Sequence, residues 1–380
     1  MNAIHQIQNF QNQDGTLDFE KLYSALEVNV VNGNINRKDK GDLALFDYSR
    51  QCQLDGAWND ATRISRGLIL DVKNKVVVAL PPEKFFNYGD EHRTHGRSIG
   101  DPRWKGAEIH EKMDGSLGVC WHYQGEWHVS TRGSFDSEQA VWATRWLYEN
   151  VDTQNLIEGL TYIFEIIYHE NQIVVNYDYE GLVLLTIYNT NCMLESCAET
   201  TDFLAKELGV KRPESYKFDK ISELTSWVKG LPKDQEGVVV KFPSGTRVKI
   251  KGDEYCRIHK ILAHHSPLVV WENLRDKGIG FLEEYKLNIP EEFWDETDEW
   301  LESFTESFTN ILVKMSSFHQ ETIHLSDKEL GLYLRENKSP YGRFVFGVRK
   351  NPTGFAVVGA KERKKIFDFF KPSGNIMPCQ

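Results

Sequence analysis

Glu111-Lys112-Met113-Asp114-Gly115-Ser116 lies between a strand-like stretch and the apolar run 117–121. A lysine followed two residues later by an acid and then by glycine has a specific use in nucleotidyl transfer. The amine attacks the α-phosphate of a nucleoside triphosphate to form a phosphoramidate, and the glycine lets the backbone come close to the nucleotide. Taken alone, the hexapeptide is also what a surface turn between two strands looks like, so residues further along the chain decide its meaning.

Four downstream segments bear on it. Ser130-Thr131-Arg132-Gly133-Ser134 ends the next strand and sets a cation beside a glycine turn, which suits a phosphate or ribose contact. In 162–168 a single carboxylate, Glu165, interrupts an apolar strand. Burying it ionised is costly, so it should meet a cation, a metal-bound water or a ligand hydroxyl. Glu236 opens the β-branched strand 237–241, and Lys249-Ile250-Lys251 comes next. Strand side chains alternate, so Lys249 and Lys251 share one face and form a clamp for a triphosphate. Each segment has a plainer reading as a hairpin loop, a structural salt bridge or a lysine-protected edge strand.

Working outward, residues 43–251 hold short strand-like runs at 67–72, 76–80, 117–123, 127–131, 162–168, 182–188, 237–242 and 247–251, with helical patterns at 137–149 and 200–208. This predicts an α+β fold built on antiparallel sheets. Beyond Tyr255 the strands thin out, and Phe293, Trp300, Leu301, Phe304, Phe308, Ile311, Leu312 and Met315 recur at helical spacing, the stripe of a helix packed on a core.

With 380 residues, 40% of them hydrophobic, the chain can bury a sizeable core and divide into two domains. Residues 1–15 lack the basic head and apolar run of a signal peptide, and no stretch nears the ~20 apolar residues that cross a bilayer. A cytoplasmic protein without membrane association is expected, in the host-cell cytoplasm if the chain is phage-encoded. The six scattered cysteines suggest reduced thiols rather than a zinc site or a disulfide frame. The net charge of −11 argues against a nucleic-acid enzyme until it is located: 283–306 holds ten acids against Lys286, a local −9, whereas 343–371 holds eight bases against two acids, a local +6. In that basic stretch Phe344, Phe346, Phe355, Phe367, Phe369 and Phe370 alternate with Arg343, Arg349, Lys350, Lys361, Arg363, Lys364, Lys365 and Lys371. The interleaving suits RNA contact, or equally a solvated helix with its aromatics in a core.

The order Lys112, Arg132-Gly133, Phe164-Glu165, Glu236-Gly237, Lys249-x-Lys251 resembles the motif series of the covalent nucleotidyltransferase superfamily of DNA ligases, RNA ligases and mRNA capping enzymes. Within it, Leu45-Phe46-Asp47-Tyr48, Ser65-Arg66-Gly67-Leu68-Ile69-Leu70, Glu83-Lys84-Phe85-Phe86-Asn87, Ser137-Glu138-Gln139-Ala140 and Asp253-Glu254-Tyr255 make the chain similar to the RNA ligase 1 family of T-even-like bacteriophages. The resemblance implies an antiparallel-sheet, ATP-grasp-like nucleotidyltransferase domain in 1–255 and a mainly α-helical RNA-recognition domain in 256–380. It implies that Tyr48, Arg66, Lys84, Lys112, Arg132, Glu165, Glu236, Lys249 and Lys251 contact ATP. Lys112 would be the nucleophile, Glu236 would support metal-assisted transfer, and Tyr255 would assist sealing. ATP would donate AMP, with Mg2+ present and Mn2+ able to substitute, and no metal ligand is assigned. The substrate would be RNA with 5'-phosphate and 3'-hydroxyl ends, foremost a cleaved tRNA, with an end-healing kinase/phosphatase as partner.

Such chemistry needs a neutral amine, whereas an ordinary lysine ionises at about 10.4. The cations Lys249, Lys251 and Arg66 are therefore expected beside Lys112, where they would disfavour its charge and also take up that of the phosphates. DNA ligases and capping enzymes usually continue into a small β-barrel after the lysine pair. The 129 residues after Lys251 read as helical instead. A catalytically silent RNA-binding module would be expected to lack Lys112 or the lysine pair, and both are present.

Overall fold

A computed structural model describes residues 6–90, 106–263, 265–287, 289, 293–337, 344, 346, 349 and 360–372. By its internal contacts the chain forms two units, 1–259 and 260–380.

The amino-terminal unit is built on three sheets. Its first sheet runs β1 (Ile35–Lys40), β2 (Leu43–Tyr48), β3 (Arg66–Asp71), β4 (Val76–Ala79) in that spatial order. β2 lies between two neighbours and is buried along its whole length, whereas β1, the edge, is polar and mostly exposed. Helix α1 (Phe19–Val31) packs on this sheet through Phe19, Leu22 and Leu26, and Asp18 caps it by accepting the Lys21 amide hydrogen. The short helices α2 (Arg50–Asp55) and α3 (Asp60–Ile64) fill the β2–β3 connection.

The remaining strands are β5 (Phe86–Asn87), β6 (Glu108–Glu111), β7 (Ser116–Tyr123), β8 (Glu126–Thr131), β9 (Leu160–Ile167), β10 (Gly181–Asn189), β11 (Leu194–Glu195), β12 (Ser215–Tyr216), β13 (Gly237–Lys241) and β14 (Arg247–Lys251). They form two sheets, ordered β11-β10-β9-β7-β8 and β12-β6-β13-β14-β5, antiparallel except for the short β14–β5 pair. Helix α4 (Glu138–Asn150), capped by Ser137, covers the former with α5 (Ala198–Leu208). Helix α6 (Ile221–Lys229) covers the latter through Leu224 and Val228. The eight strand runs and two helical patterns expected from the sequence all fall on observed elements, with ends shifted by one or two residues.

Helix α7 (Asp253–Ala263) carries Tyr255 and contains both the expected division after that residue and the observed one after His259. The described part of the carboxy-terminal unit is helical: α8 (Pro267–Lys277), α9 (Leu282–Leu287), α10 (Trp294–Thr322), α11 (Asp327–Asn337) and a last helix, Ala360–Phe367. The apolar stripe lies on α10, where Leu301, Phe304 and Met315 enter a core with Trp271, Phe344, Phe367 and Phe370. In the basic stretch those three phenylalanines are therefore core residues, as the solvated-helix alternative expects of them. Two of its arginines serve helix ends, where backbone carbonyls lack partners. Arg349 donates to Thr322 O and Leu325 O, and Arg363 donates to Arg275 O and Asp276 O. Lys365 and Lys371 are exposed. Arg343, Lys350, Phe355 and the side chain of Lys361 lie outside the described residues.

Among the described residues no helix is long and apolar enough to cross a membrane.

Candidate active site

Lys112 directly follows β6, and its amide hydrogen bonds to Gly237 O at 2.8 Å, which fixes the start of the motif against the start of β13. Its Nζ lies 2.6 Å from Glu236 Oε2, while Glu236 Oε1 lies 2.8 Å from Lys251 Nζ. The Glu236 side chain is only 2% exposed, so one buried carboxylate bridges the two lysine side chains. The nearest charge to Lys112 is an acid, and Lys251, one of the cations expected near it, stands on the far side of that acid. Lys249, two residues back on the same face of β14, meets no carboxylate at ion-pair distance among the described residues. Burial, with Lys251, Lys112, Lys84 and Arg66 nearby, brings its amine down to about 8.

Met113 and Asp114 turn the chain from one sheet to the other. Asp114, 3% exposed, accepts the Tyr255 hydroxyl at 2.7 Å on Oδ1 and the Val174 and Val175 amides at 2.9 Å on Oδ2. Tyr255 is 1% exposed and does not line the cavity described below. Burial and the nearby Glu236 and Asp114 hold its phenol above the ordinary range, so it stays a donor. Tyr255, expected to assist sealing, thus has its hydroxyl engaged beneath the Lys112 turn. A Cβ on Gly115 would stand 2.5 Å from Ile166 O, so the motif glycine is needed for close approach to β9, and it also lines the cavity described below. Gly237, at φ 141°, is needed for a similar reason, since a Cβ there would overlap Ile250 O.

Glu165, on β9, accepts the Gly115 amide at 3.1 Å. A backbone donor meets it, and Lys112 and Arg66, cations of the kind expected for it, act on it through space. Burial raises its carboxyl to about 7, against the pull of Lys112 and Arg66 and with a further push from Glu236. Glu111, also in the cavity wall, is raised by burial.

A second group comes from the first sheet and its connections. Tyr48 stacks edge-on against Trp58, with ring centroids 5.1 Å apart, and receives the Lys84 ammonium at 3.2 Å on its hydroxyl. The Arg132 guanidinium lies 4.5 Å over the Tyr48 ring and its Nε is 3.1 Å from Asp47. A register shift in β2 between Phe46 and Asp47 accompanies that turn of Asp47 toward Arg132. Burial raises Asp47 to about 6 despite Arg132, Arg66, Lys38 and Lys84. For Tyr48 the balance is opposite, since burial raises its phenol but Lys84, Arg132 and Arg66 bring it below its ordinary value. Arg66 and Lys84 are themselves lowered by burial.

These side chains surround a cavity of about 300 Å3 with walls from all three sheets. Tyr48, Arg66, Lys84, Lys112, Glu165 and Lys249 line it, so six of the expected residues meet there. Glu236 reaches it through its contact with Lys112, Lys251 through Glu236, and Arg132 through Tyr48. Sequence reasoning did not find His110, Thr186, Glu195, Lys241 and Arg247, which line its other end. Glu195 stands in a two-residue strand with no periodic signal, so only its pairing with β10 locates it. Among the described residues no three His, Cys, Asp or Glu side chains cluster as a metal cage.

The described fold is α+β, with a lysine-bearing cavity walled by antiparallel sheets. The chain belongs to the RNA ligase family, whose profile matches residues 64–255. A protein of Autographa californica nuclear polyhedrosis virus described as a bifunctional polynucleotide kinase/RNA ligase is 30% identical over 221 residues, 51% of this chain and 30% of that protein. The RNA ligase of Rhodothermus phage RM378 is 24% identical over 187 residues, 40% of this chain and 42% of its own length. The chain therefore spans less than half the length of these two relatives. Among solved structures, Naegleria gruberi RNA ligase with PPi aligns with a TM-score of 0.35 at 20% identity, covering 40% of this chain and 51% of that one.

Proposed function

We propose that this protein is an ATP-dependent RNA ligase that carries AMP on Lys112. The observation behind this is the Lys112–Glu236–Lys251 bridge beside a cavity that also presents Lys249, Arg66 and Lys84. In the first step the Lys112 amine attacks the α-phosphorus of ATP. A P–N bond forms, the P–O bond to pyrophosphate breaks, and Glu236, 2.6 Å from the amine, takes the proton. Lys249, Lys251, Arg66 and Lys84 take up phosphate charge as it moves to the leaving group. Tyr48, Arg132 and Glu165 hold the rest of the nucleotide.

In the second step an oxygen of the RNA 5'-phosphate displaces Lys112 from AMP. In the third the RNA 3'-hydroxyl attacks the 5'-phosphorus, AMP leaves, and a phosphodiester results. The donor set suits an ion that arrives with the triphosphate, because Mg2+ usually needs only one or two protein carboxylates beside phosphate and water oxygens. Glu236 and Glu165 would supply them. Mg2+, or Mn2+ in its place, contributes charge neutralisation at the phosphate oxygens.

The substrate proposed is RNA with a 5'-phosphate and a 3'-hydroxyl, foremost a cleaved tRNA in a repair reaction. Since a relative carries kinase and ligase in its description, an end-healing kinase/phosphatase is the proposed partner. For the carboxy-terminal unit we propose RNA contact through exposed lysines such as Lys365 and Lys371.

Incubation with α-labelled ATP and Mg2+ tests the core of this reading. A covalent protein–AMP band that Lys112→Ala abolishes is expected, together with sealing of nicked tRNA in preference to nicked duplex. A band that persists in Lys112→Ala, or labelling by GTP in place of ATP, overturns it.

A further inference from the structure

The cavity is polarised. Its Lys112 end is rich in cations, whereas at the other end Glu108 and Glu195 offset Lys241 and Arg247. Register fixes this order. On β13 and β14, Gly237 pairs with Lys251, Val239 with Lys249, and Lys241 with Arg247, while His110 of β6 lies opposite Val239. At about 3.3 Å per residue, Lys251 and Arg247 stand about 13 Å apart along one face. A nucleotide with its α-phosphate at Lys112 therefore extends its base over Val239, toward His110 and the Arg247 end. Leu117, Ile163, Leu185 and Val239 provide apolar walls for a planar ring.

At that end two buried polar atoms take no hydrogen bond: Glu195 Oε2 and His110 Nδ1. The Glu195 side chain is 3% exposed, the Tyr188 hydroxyl stands beside its carboxylate, and three further partners crowd onto the other oxygen. Oε1 accepts Thr186 Oγ1 at 2.5 Å, is 3.3 Å from Lys241 Nζ and meets the Arg247 guanidinium. A register shift in β10 between Leu184 and Thr186 puts Leu185 and Thr186 into the cavity wall together, which brings the Thr186 hydroxyl to Glu195. Leaving a buried carboxylate oxygen unsatisfied is costly, and a ligand donor that fills the position is one physical reason to keep it.

We propose that Glu195 and His110 read the edge of the purine and make this site select adenine over guanine nucleotides. The inference rests on the cavity being the nucleotide site. Adenine carries an exocyclic amine, which donates to Glu195 Oε2, an atom that can only accept when ionised. Lys241, Arg247 and Thr186 keep the group ionised: burial alone would raise it, and their combined pull takes it below the ordinary carboxyl range. Guanine presents a carbonyl oxygen at the same position, and two acceptors facing each other in a buried site repel. His110, lowered by burial, is neutral and keeps one donor and one acceptor nitrogen for the ring. The pairing of an obligate acceptor with a neutral imidazole is what distinguishes the two bases.

The test compares kcat/KM for protein–nucleotide adduct formation with ATP, GTP and purine riboside triphosphate, which lacks the exocyclic amine. The unaltered enzyme should favour ATP over purine riboside triphosphate by about ten- to hundredfold, the factor that one hydrogen bond to a charged group supports. Glu195→Gln, whose amide can also donate, should narrow the ATP-to-GTP ratio at least tenfold. His110→Leu, which leaves the Glu195 ion network whole, should narrow it too. A ratio taken within one preparation does not depend on the folded fraction. If Glu195→Gln fails to fold, the comparison on the unaltered enzyme decides. Equal use of ATP and purine riboside triphosphate, or an unchanged ATP-to-GTP ratio in both variants, overturns the inference and leaves the ligase reading intact. The lack of any adduct in the unaltered enzyme overturns both.

Discussion

Replacing Tyr255 by phenylalanine removes one oxygen atom and tests whether this residue acts on RNA or on the Lys112 turn. Its hydroxyl is one of three donors to the buried Asp114 carboxylate, the other two being the Val174 and Val175 amides on the opposite oxygen. No other described side chain replaces it at Oδ1. A hydrogen bond to a charged group contributes about 1.5–3 kcal/mol, so Tyr255→Phe should destabilise the protein by about that much. In a unit of this size each kcal/mol lowers the melting temperature by about 2–4 °C, which gives a fall of about 3–12 °C. Because Asp114 lies two residues past Lys112, adduct formation and sealing of preadenylylated RNA should decline together near the new melting temperature and recover together well below it. Both assays, run at two temperatures beside a melting curve, decide the matter. A tenfold loss of sealing alone, with unchanged melting and adduct formation, would refute this reasoning and return Tyr255 to direct contact with the reacting RNA.

The remaining predictions concern charge. With the Lys249 amine at about 8, its positive charge is present below that pH and lost above it, so kcat/KM for ATP in adduct formation should fall as pH rises through 8. Lys249→Arg, which stays charged, should flatten that profile, and an unchanged profile would remove Lys249 from the clamp. The Glu165 carboxyl is raised to about 7 from an ordinary 4.5, so the folded state binds its proton more tightly than the unfolded state and loses stability as pH rises from 4.5 to 7. Glu165→Gln should match the wild type near pH 4.5 and exceed it by about 3 kcal/mol at pH 8, at 1.36 kcal/mol per unit. Denaturant titrations that show no pH-dependent gap would contradict the burial argument. Arg363→Ala removes two bonds to the last carbonyls of α8 and should lower the stability of the carboxy-terminal unit by about 1–2 kcal/mol without altering adduct formation. Lost RNA affinity with unchanged melting would mean that Arg363 meets phosphate instead.

Much of the site was legible because it depends on local rules. Alternation along a strand puts Lys249 and Lys251 on one face whatever the strand pairs with, and a lone carboxylate in an apolar strand announces Glu165. The strands that read most clearly, β9, β10 and β13, are those whose apolar pattern has few polar interruptions. By contrast β1, with the sequence Ile-Asn-Arg-Lys-Asp-Lys, carries almost no burial signal, and it is a strand because β2 offers it an edge. The basic, aromatic stretch 343–371 was ambiguous in sequence. Composition does not say which way a phenylalanine faces or whether an arginine meets a phosphate or the carbonyls at a helix end.

The sequence by itself determined the lysine proposed as nucleophile, the order of the motif residues and the α+β class, since each comes from residue type and short-range periodicity. Tertiary structure alone decided which charges meet. Glu236 reaches Lys112 across 124 positions, Tyr255 reaches Asp114 across 141, and Arg247 reaches Glu195 across 52. Such pairs depend on strand register and on the packing of one sheet against another. Whether a buried carboxylate is shared between two lysines, held by backbone amides or left with one oxygen open is therefore settled only when the sheets close.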